Sequence, residues 1–185
     1  MKRLTCILCV LLLAGCAAEQ GADEQESEVQ ADAATPERIV ACDLLPGSDV
    51  EDIMGAPVEA KADEYEDSFN SGSEPRYMTS CTYISETDQA MRTASIQVAR
   101  APEVTDPAAA LQDYVEGLRE ISPNLNLTPV PELGPGAGWH AELEQLIVFR
   151  PGWRIMAGVD RQGAIPGLEG AKLLASRMLE RMPKD

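Results

Sequence analysis

The feature that most constrains this fold is a long acidic stretch near the amino terminus. Residues 17–38 are small, polar or acidic, with one Val and no aromatic side chain. Such a segment cannot bury enough apolar surface to offset the entropy that is lost when it becomes ordered. We therefore expect a disordered acidic tether over residues 16–38 and a single globular domain over residues 39–185, which is an ordinary domain length.

The residues before the tether have the three parts of a secretion signal. Two basic residues are followed by an apolar run over 7–13 and then by small residues, and the run is too short to span a bilayer. The letters LAGC, which end at Cys16, resemble the lipobox of bacterial lipoproteins. This resemblance implies that residues 1–15 are a signal peptide and that Cys16 becomes the first mature residue. Its sulfur would carry a diacylglyceryl group, and its amine is often acylated as well, for example with palmitate.

A lipidated Cys16 would hold the protein at a membrane of the cell envelope. Two or three acyl chains make a durable anchor, because each buried methylene contributes about 0.8 kcal/mol. Ala17 follows the cysteine, and in a Gram-negative host this residue matches the default for the outer membrane, with the domain facing the periplasm. An ordinary secreted protein cleaved nearby, or a core helix, is the alternative.

The cysteines divide into two groups once the signal is removed. Cys6 and Cys9 leave with the signal, so their CxxC spacing does not indicate redox or metal chemistry. Cys42 and Cys81 remain in an oxidising compartment and are most simply a disulfide. Closing a loop of about 40 residues would contribute about 3 to 4 kcal/mol. We expect no metal and no cofactor, since a metal or redox site would need a second cysteine pair or nearby histidines.

The chain is strongly acidic. It has 15 basic and 31 acidic residues, a net charge of −16, and loss of the two basic residues of the signal would make the net charge −18. Nucleic acid binding requires basic side chains that neutralise phosphates, and anionic lipid would also repel this chain. We therefore expect no nucleic acid partner, and instead an unknown envelope protein or small ligand that is neutral or basic.

The first ordered elements are predicted directly after Cys42. Ser48 and Glu51 have the spacing of a capping box, and Gly55 and Pro57 are suited to end a helix of about two turns. The segments SCTYISE and TASIQVARA alternate as two antiparallel strands joined around Asp88-Gln89.

An acidic segment, EAKADEYEDSFNSGSEPRY, lies between this helix and the strands. Its carboxylates lack the alternating ligands and central glycine of an EF-hand loop. We therefore predict a solvated loop and no calcium site. The carboxylates are Asp63, Glu64, Glu66 and Asp67.

The clearest helix signal begins at Asp106, an N-cap followed by Pro107 at the first helical position. Its apolar side carries Leu111, Val115, Leu118 and Ile121. The segment NLNLTPV predicts a strand, and three more strands are expected with breaks at Glu144-Gln145 and Pro151-Gly152, where Pro then Gly fits a type II turn.

A terminal helix is predicted from spacing at three and four residues. Its apolar side carries Leu168, Ala171, Ala175, Met178 and Met182, and its basic residues, placed to complement the helix dipole, are Lys172, Arg177, Arg181 and Lys184. The expected fold class is α+β, an antiparallel sheet of about six strands with three helices packed on one face, possibly as two helix-plus-three-strand halves.

Several short motifs together suggest a family. The segments ACDLLPGSDVEDIMGAPV, SCTYI and VPELGPGAGWHAELEQLIVFRPGWRIMAGV, with the final Ala- and Leu-rich helix, resemble small disulfide-tied lipoproteins of mycobacteria and other actinobacteria. The resemblance implies an α+β domain of largely unknown function with no catalytic residues to carry over. The segment GPGAGWH departs from that pattern, because no acidic residue precedes the alanine.

Residues with catalytic potential are few. His140 is the single histidine, and strand alternation would place Glu142 on the same face as a carboxylate orienter. A solvent-facing histidine is the simpler expectation, because no nucleophile elbow, metal-ligand set or phosphate loop accompanies it. Trp139 and Trp153 are expected in the core or at the sheet rim rather than as a sugar platform.

These observations favour a lipid-anchored lipoprotein that presents a non-catalytic binding or accessory domain. A small envelope hydrolase that uses His140 with a carboxylate is one alternative. A purely structural envelope protein is another.

Overall fold

The domain is built around one antiparallel sheet. The structure is a computed structural model and describes residues 39–67, 76–86, 91–124 and 126–183. The predicted signal peptide, Cys16, the tether and the Asp88-Gln89 turn lie outside these residues.

Seven strands form the sheet in the order β1-β2-β3-β7-β6-β5-β4, with every neighbouring pair antiparallel. The strands are β1 (Glu59–Asp67), β2 (Arg76–Glu86), β3 (Met91–Ala101), β4 (Leu127–Pro129), β5 (Ala137–His140), β6 (Gln145–Arg150) and β7 (Gly152–Val159). The helices are α1 (Ala41–Leu44), α2 (Glu51–Met54), α3 (Pro107–Ile121) and α4 (Gly167–Arg181). The α+β class is confirmed, but the predicted counts of six strands and three helices are wrong for the described residues.

The unpredicted strand is β1, which occupies the start of the acidic segment that was expected to be a loop. β1 pairs with β2 from Glu59 opposite Ile84 to Asp67 opposite Arg76. It lies at an edge of the sheet, where pairing on one side is enough to order the backbone and charged side chains are tolerated. An edge strand therefore lacks the apolar alternation by which strands are recognised in a sequence.

The larger core lies on one face of the sheet, here called the main face. Side chains such as Ile96, Leu146 and Ile155 point to this face and are fully buried. α4 packs on β6 and β7 and contributes Ala171, Ala175 and Met178. The expected Cys42–Cys81 disulfide is confirmed, with a Cα–Cα distance of 5.0 Å, and it ties α1 to β2.

The amino-terminal helices are also held by arginines of α4. Arg177 donates to both carboxylate oxygens of Asp52, at 2.7 and 2.6 Å, and to the carbonyl of Asp49. Arg181 donates to the carbonyl of Leu44 at 2.8 Å and pairs with the Asp49 carboxylate. These two arginines thus bind another segment, whereas the sequence assigned them only to the dipole of their own helix; Lys184, assigned the same role, lies outside the described residues.

The predicted capping box is wrong. Ser48 lies inside a short 3-10 helix, Gly47–Asp49, and α2 starts later, after Val50, with no side-chain cap. The expected end of the segment is confirmed, because Gly55 has a φ of 74° in the left-handed region.

α3 packs on the opposite face, here called the α3 face, so the prediction that all helices share one face is wrong. Its Leu111 and Tyr114 contact a smaller core. The buried residues of that core are Ala101, Val104, Ile147 and Phe149. A glycine just before β5 permits the approach, since a Cβ on Gly136 would lie 2.6 Å from the Pro107 Cβ. Over the described residues, the second half of the chain has four strands, and its first helix, α3, lies on the face opposite α1 and α2, so these residues do not form the possible helix-plus-three-strand repeat.

Candidate functional site

His140 is buried, with an exposed fraction of 4%. The expectation of a solvent-facing histidine is therefore wrong. His140 projects to the α3 face, and Leu127 of β4 and Gln145 of β6 lie opposite it on the two sides of β5. His140 is buried because β4 lies beside it. The sequence does not show this, since alternation along β5 does not reveal which strands flank it.

The imidazole of His140 holds a turn. Its Nδ1 accepts a hydrogen bond from the backbone N–H of Leu143 at 3.1 Å. The neutral ring then carries its proton on Nε2, which is buried and has no partner among the described residues. Glu142 lies in the β5–β6 turn, residues 141–144, and is exposed. The predicted placement of His140 and Glu142 on one strand face is wrong, because β5 ends at His140.

The β5–β6 turn is held close to the sheet. Glu144 has a φ of 51°, which non-glycine residues rarely adopt. Its carbonyl oxygen would lie 3.1 Å from a Cβ placed on Gly158 of β7. Because Gly158 has no side chain, the turn can lie against the α3 face at this point. Strained backbone of this kind is common where a protein clamps a ligand.

A groove runs between this turn and the part of the α3 face formed by β2, β3 and β7. We call it the turn groove. It has a volume of about 380 Å³. The residues that line it include Thr82, Thr93, Ser95, Leu143, Glu144, Gly158 and Asp160.

The floor of the turn groove is a row across three strands. Thr82 of β2 lies opposite Ser95 of β3, and Ser95 lies opposite Gly158 of β7. Within the described parts of the chain, the hydroxyls of Thr82 and Ser95 make no hydrogen bond to protein. Two hydroxyls, each a donor and an acceptor, are therefore available beside a glycine.

The charged groups of the turn groove already have partners. Glu144 forms an ion pair with Arg161 at the rim. The carboxylate of Asp160 accepts from the backbone N–H of Thr93 at 2.7 Å and from that of Gln162 at 2.6 Å. The charges of the groove are thus engaged, and the free polar groups are hydroxyls.

Two other grooves flank α3. Neither side of this helix is deeply packed, and none of its residues is fully buried. The groove towards β4, about 380 Å³, is lined by Ala108, Leu111, Gln112, Val115, Glu116, Arg119, Leu127 and Pro129. The groove towards β6 is smaller, about 230 Å³.

Trp139 and Trp153 are buried on the main face, as expected, and neither lines a groove described above. The guanidinium of Arg100 lies 4.1 Å from the Trp153 ring centre, a cation–π contact. These indoles therefore stabilise the core.

Over the described ranges, no group of three or more His, Cys, Asp or Glu side chains is placed to hold a metal ion. No helix in the same ranges is long and apolar enough to cross a membrane.

The turn groove was not found by sequence reasoning. Thr82, Ser95 and Gly158 are far apart in the chain and meet only through strand register. In the sequence, only His140, directly before the β5–β6 turn, points to this region. No protein-family model, curated protein or solved structure matches the chain.

Proposed function

We propose that the chain is a lipid-anchored lipoprotein of the cell envelope whose folded domain binds a ligand or partner and does not catalyse a reaction. The turn groove is the observation that carries this proposal. A concave surface with a few placed polar groups is the usual form of a ligand site, and its 380 Å³ lies near the lower end of the range of about 300–1,000 Å³.

The environment of His140 supports binding over hydrolysis. A general base needs a ring nitrogen within reach of substrate and a group that orients the ring. Here Nδ1 accepts from the Leu143 amide, and Nε2 is buried. Glu142, the proposed orienter, is exposed in the turn. The imidazole is therefore better suited to holding the wall of the turn groove than to activating a nucleophile.

A photo-crosslinking experiment in intact cells tests this function. A photoreactive amino acid replaces Leu143, whose exposed fraction is 58% and which lines the turn groove. The matched control replaces Ile121, which is 83% exposed at the end of α3 and lies outside that groove. We expect position 143 to yield a specific crosslinked product that position 121 does not yield. Identical products, or none at position 143, would contradict the proposal.

A further inference from the structure

We infer that the turn groove recognises a neutral sugar residue. This inference rests on the proposed binding function and names the chemical class of the ligand. It depends on the unpaired hydroxyls of the floor, the carboxylates of the walls and the apolar side chain at the rim.

The floor presents hydrogen-bonding groups in the form that a sugar requires. The Thr82 and Ser95 hydroxyls lie opposite each other on neighbouring strands, and neither bonds to protein in the described chain. Sugar hydroxyls are both donors and acceptors, so they complement protein hydroxyls in either direction. Gly158 continues the row to the point where the carbonyl of Glu144 closes it, so the ligand would lie over Thr82 and Ser95.

The walls disfavour an anionic ligand. Arg161 balances the charge of Glu144, and two backbone amides bind the Asp160 carboxylate. An anionic ligand would meet two carboxylates, of which only Glu144 is paired with a cation. A neutral molecule avoids this repulsion.

The rim supplies apolar contact. Leu143 is 58% exposed and is one of three large hydrophobic side chains that the described residues leave exposed, the others being Met91 and Ile121, which lie outside the turn groove. A sugar ring has an apolar C–H surface, which would cover this side chain while its hydroxyls bind the floor. His140 is a positioning residue here, because its ring accepts a hydrogen bond from the Leu143 amide and thereby fixes the backbone that carries the Leu143 side chain.

A glycan array measures this specificity directly. The detergent-solubilised full chain is applied to immobilised neutral and acidic mono- and oligosaccharides, and the affinity for the strongest neutral sugar is measured by calorimetry. We expect binding to neutral sugars in preference to acidic ones. The Thr82→Val and Ser95→Ala double variant removes both hydroxyls with little change in shape and should weaken affinity about tenfold or more, the effect of losing two hydrogen bonds.

The matched control removes hydroxyls elsewhere. Thr128→Val with Ser122→Ala changes one strand residue and one residue after α3, both outside the turn groove, and should leave affinity within about twofold. Circular dichroism establishes that both double variants are folded.

The remaining outcomes separate this inference from the proposed function. Equal binding by the groove variant, or a preference for acidic sugars, overturns the assignment of the site or of its ligand. If no sugar binds but position 143 still crosslinks a specific protein, the sugar is wrong and the binding function stands. If sugar binding and crosslinking both fail, both proposals are wrong.

Discussion

Single side chains of α4 hold the amino-terminal helices on the domain. Asp52 is mostly exposed, yet both its carboxylate oxygens accept from Arg177. The hydrogen bond from this guanidinium holds the pKa of Asp52 below its ordinary value of 3.8. A lowered pKa means that the ionised carboxylate is more stable in the folded chain than in the unfolded one.

We expect Asp52→Asn to lower the free energy of unfolding by about 0.2 to 1 kcal/mol at neutral pH, the usual range for an exposed pair. The contribution is fully present above the unfolded-state pKa and is lost as the pH falls through the lower folded-state pKa. Urea titrations of wild type and variant should therefore converge below pH 3.8.

Asp113→Asn is the control, since Asp113 lies on α3 away from any ion pair in the described chain. Its effect on unfolding should be small at every pH. A difference between wild type and Asp52→Asn that persists undiminished in acid would show that the ion pair is not its source.

Among the helices and strands, α3 depends most on interactions within its own segment for its stability. It covers the smaller core with half-buried side chains, and Tyr114 meets Phe149 edge-on, with ring centres 5.9 Å apart. Burial raises the pKa of Tyr114. Because its packing is shallow, the cap at its start matters more than it would for a deeply buried helix.

We expect Asp106→Ala to destabilise the fold by about 1 kcal/mol, because the Asp106 carboxylate accepts from two backbone amides, those of Ala108 at 2.9 Å and Ala109 at 3.2 Å. Hydrogen exchange should show faster exchange at these two amides than in wild type. Asp113→Ala removes an equal charge from the middle of the same helix and should leave both amides unchanged. Unaltered exchange in Asp106→Ala would show that the cap does not limit fraying.

For the whole molecule, the central prediction is its attachment to a membrane. The LAGC sequence is the basis for a lipidated Cys16. A domain held in this way would present the turn groove within the envelope.

We expect cells fed an alkyne-bearing fatty acid to label the protein, with the label and the protein both in the membrane fraction. Cys16→Ala should abolish labelling and release the protein from that fraction, because the thioether cannot form. Cys6→Ala alters a cysteine of the predicted signal and should leave labelling intact. Equal labelling of wild type and Cys16→Ala would contradict the anchor.

Much of the fold was predictable because its signals are local. Asp106-Pro107 marked the start of α3, and Pro151-Gly152 marked the β6–β7 turn, where Gly152 has a φ of 72°. Capping and turn conformations depend on a few neighbouring residues, so sequence is sufficient for them. The disulfide was equally accessible, since Cys42 and Cys81 are the two cysteines after Cys16.

Tertiary structure alone decided the edge strand, the division of helices between two faces and the candidate site. β1 has no apolar pattern and exists through pairing with β2. His140 is buried because β4 lies beside it, and Thr82, Ser95 and Gly158 form one row through strand register. Register and layer order arise from contacts between distant segments, whereas the signals read along a chain report only neighbouring residues.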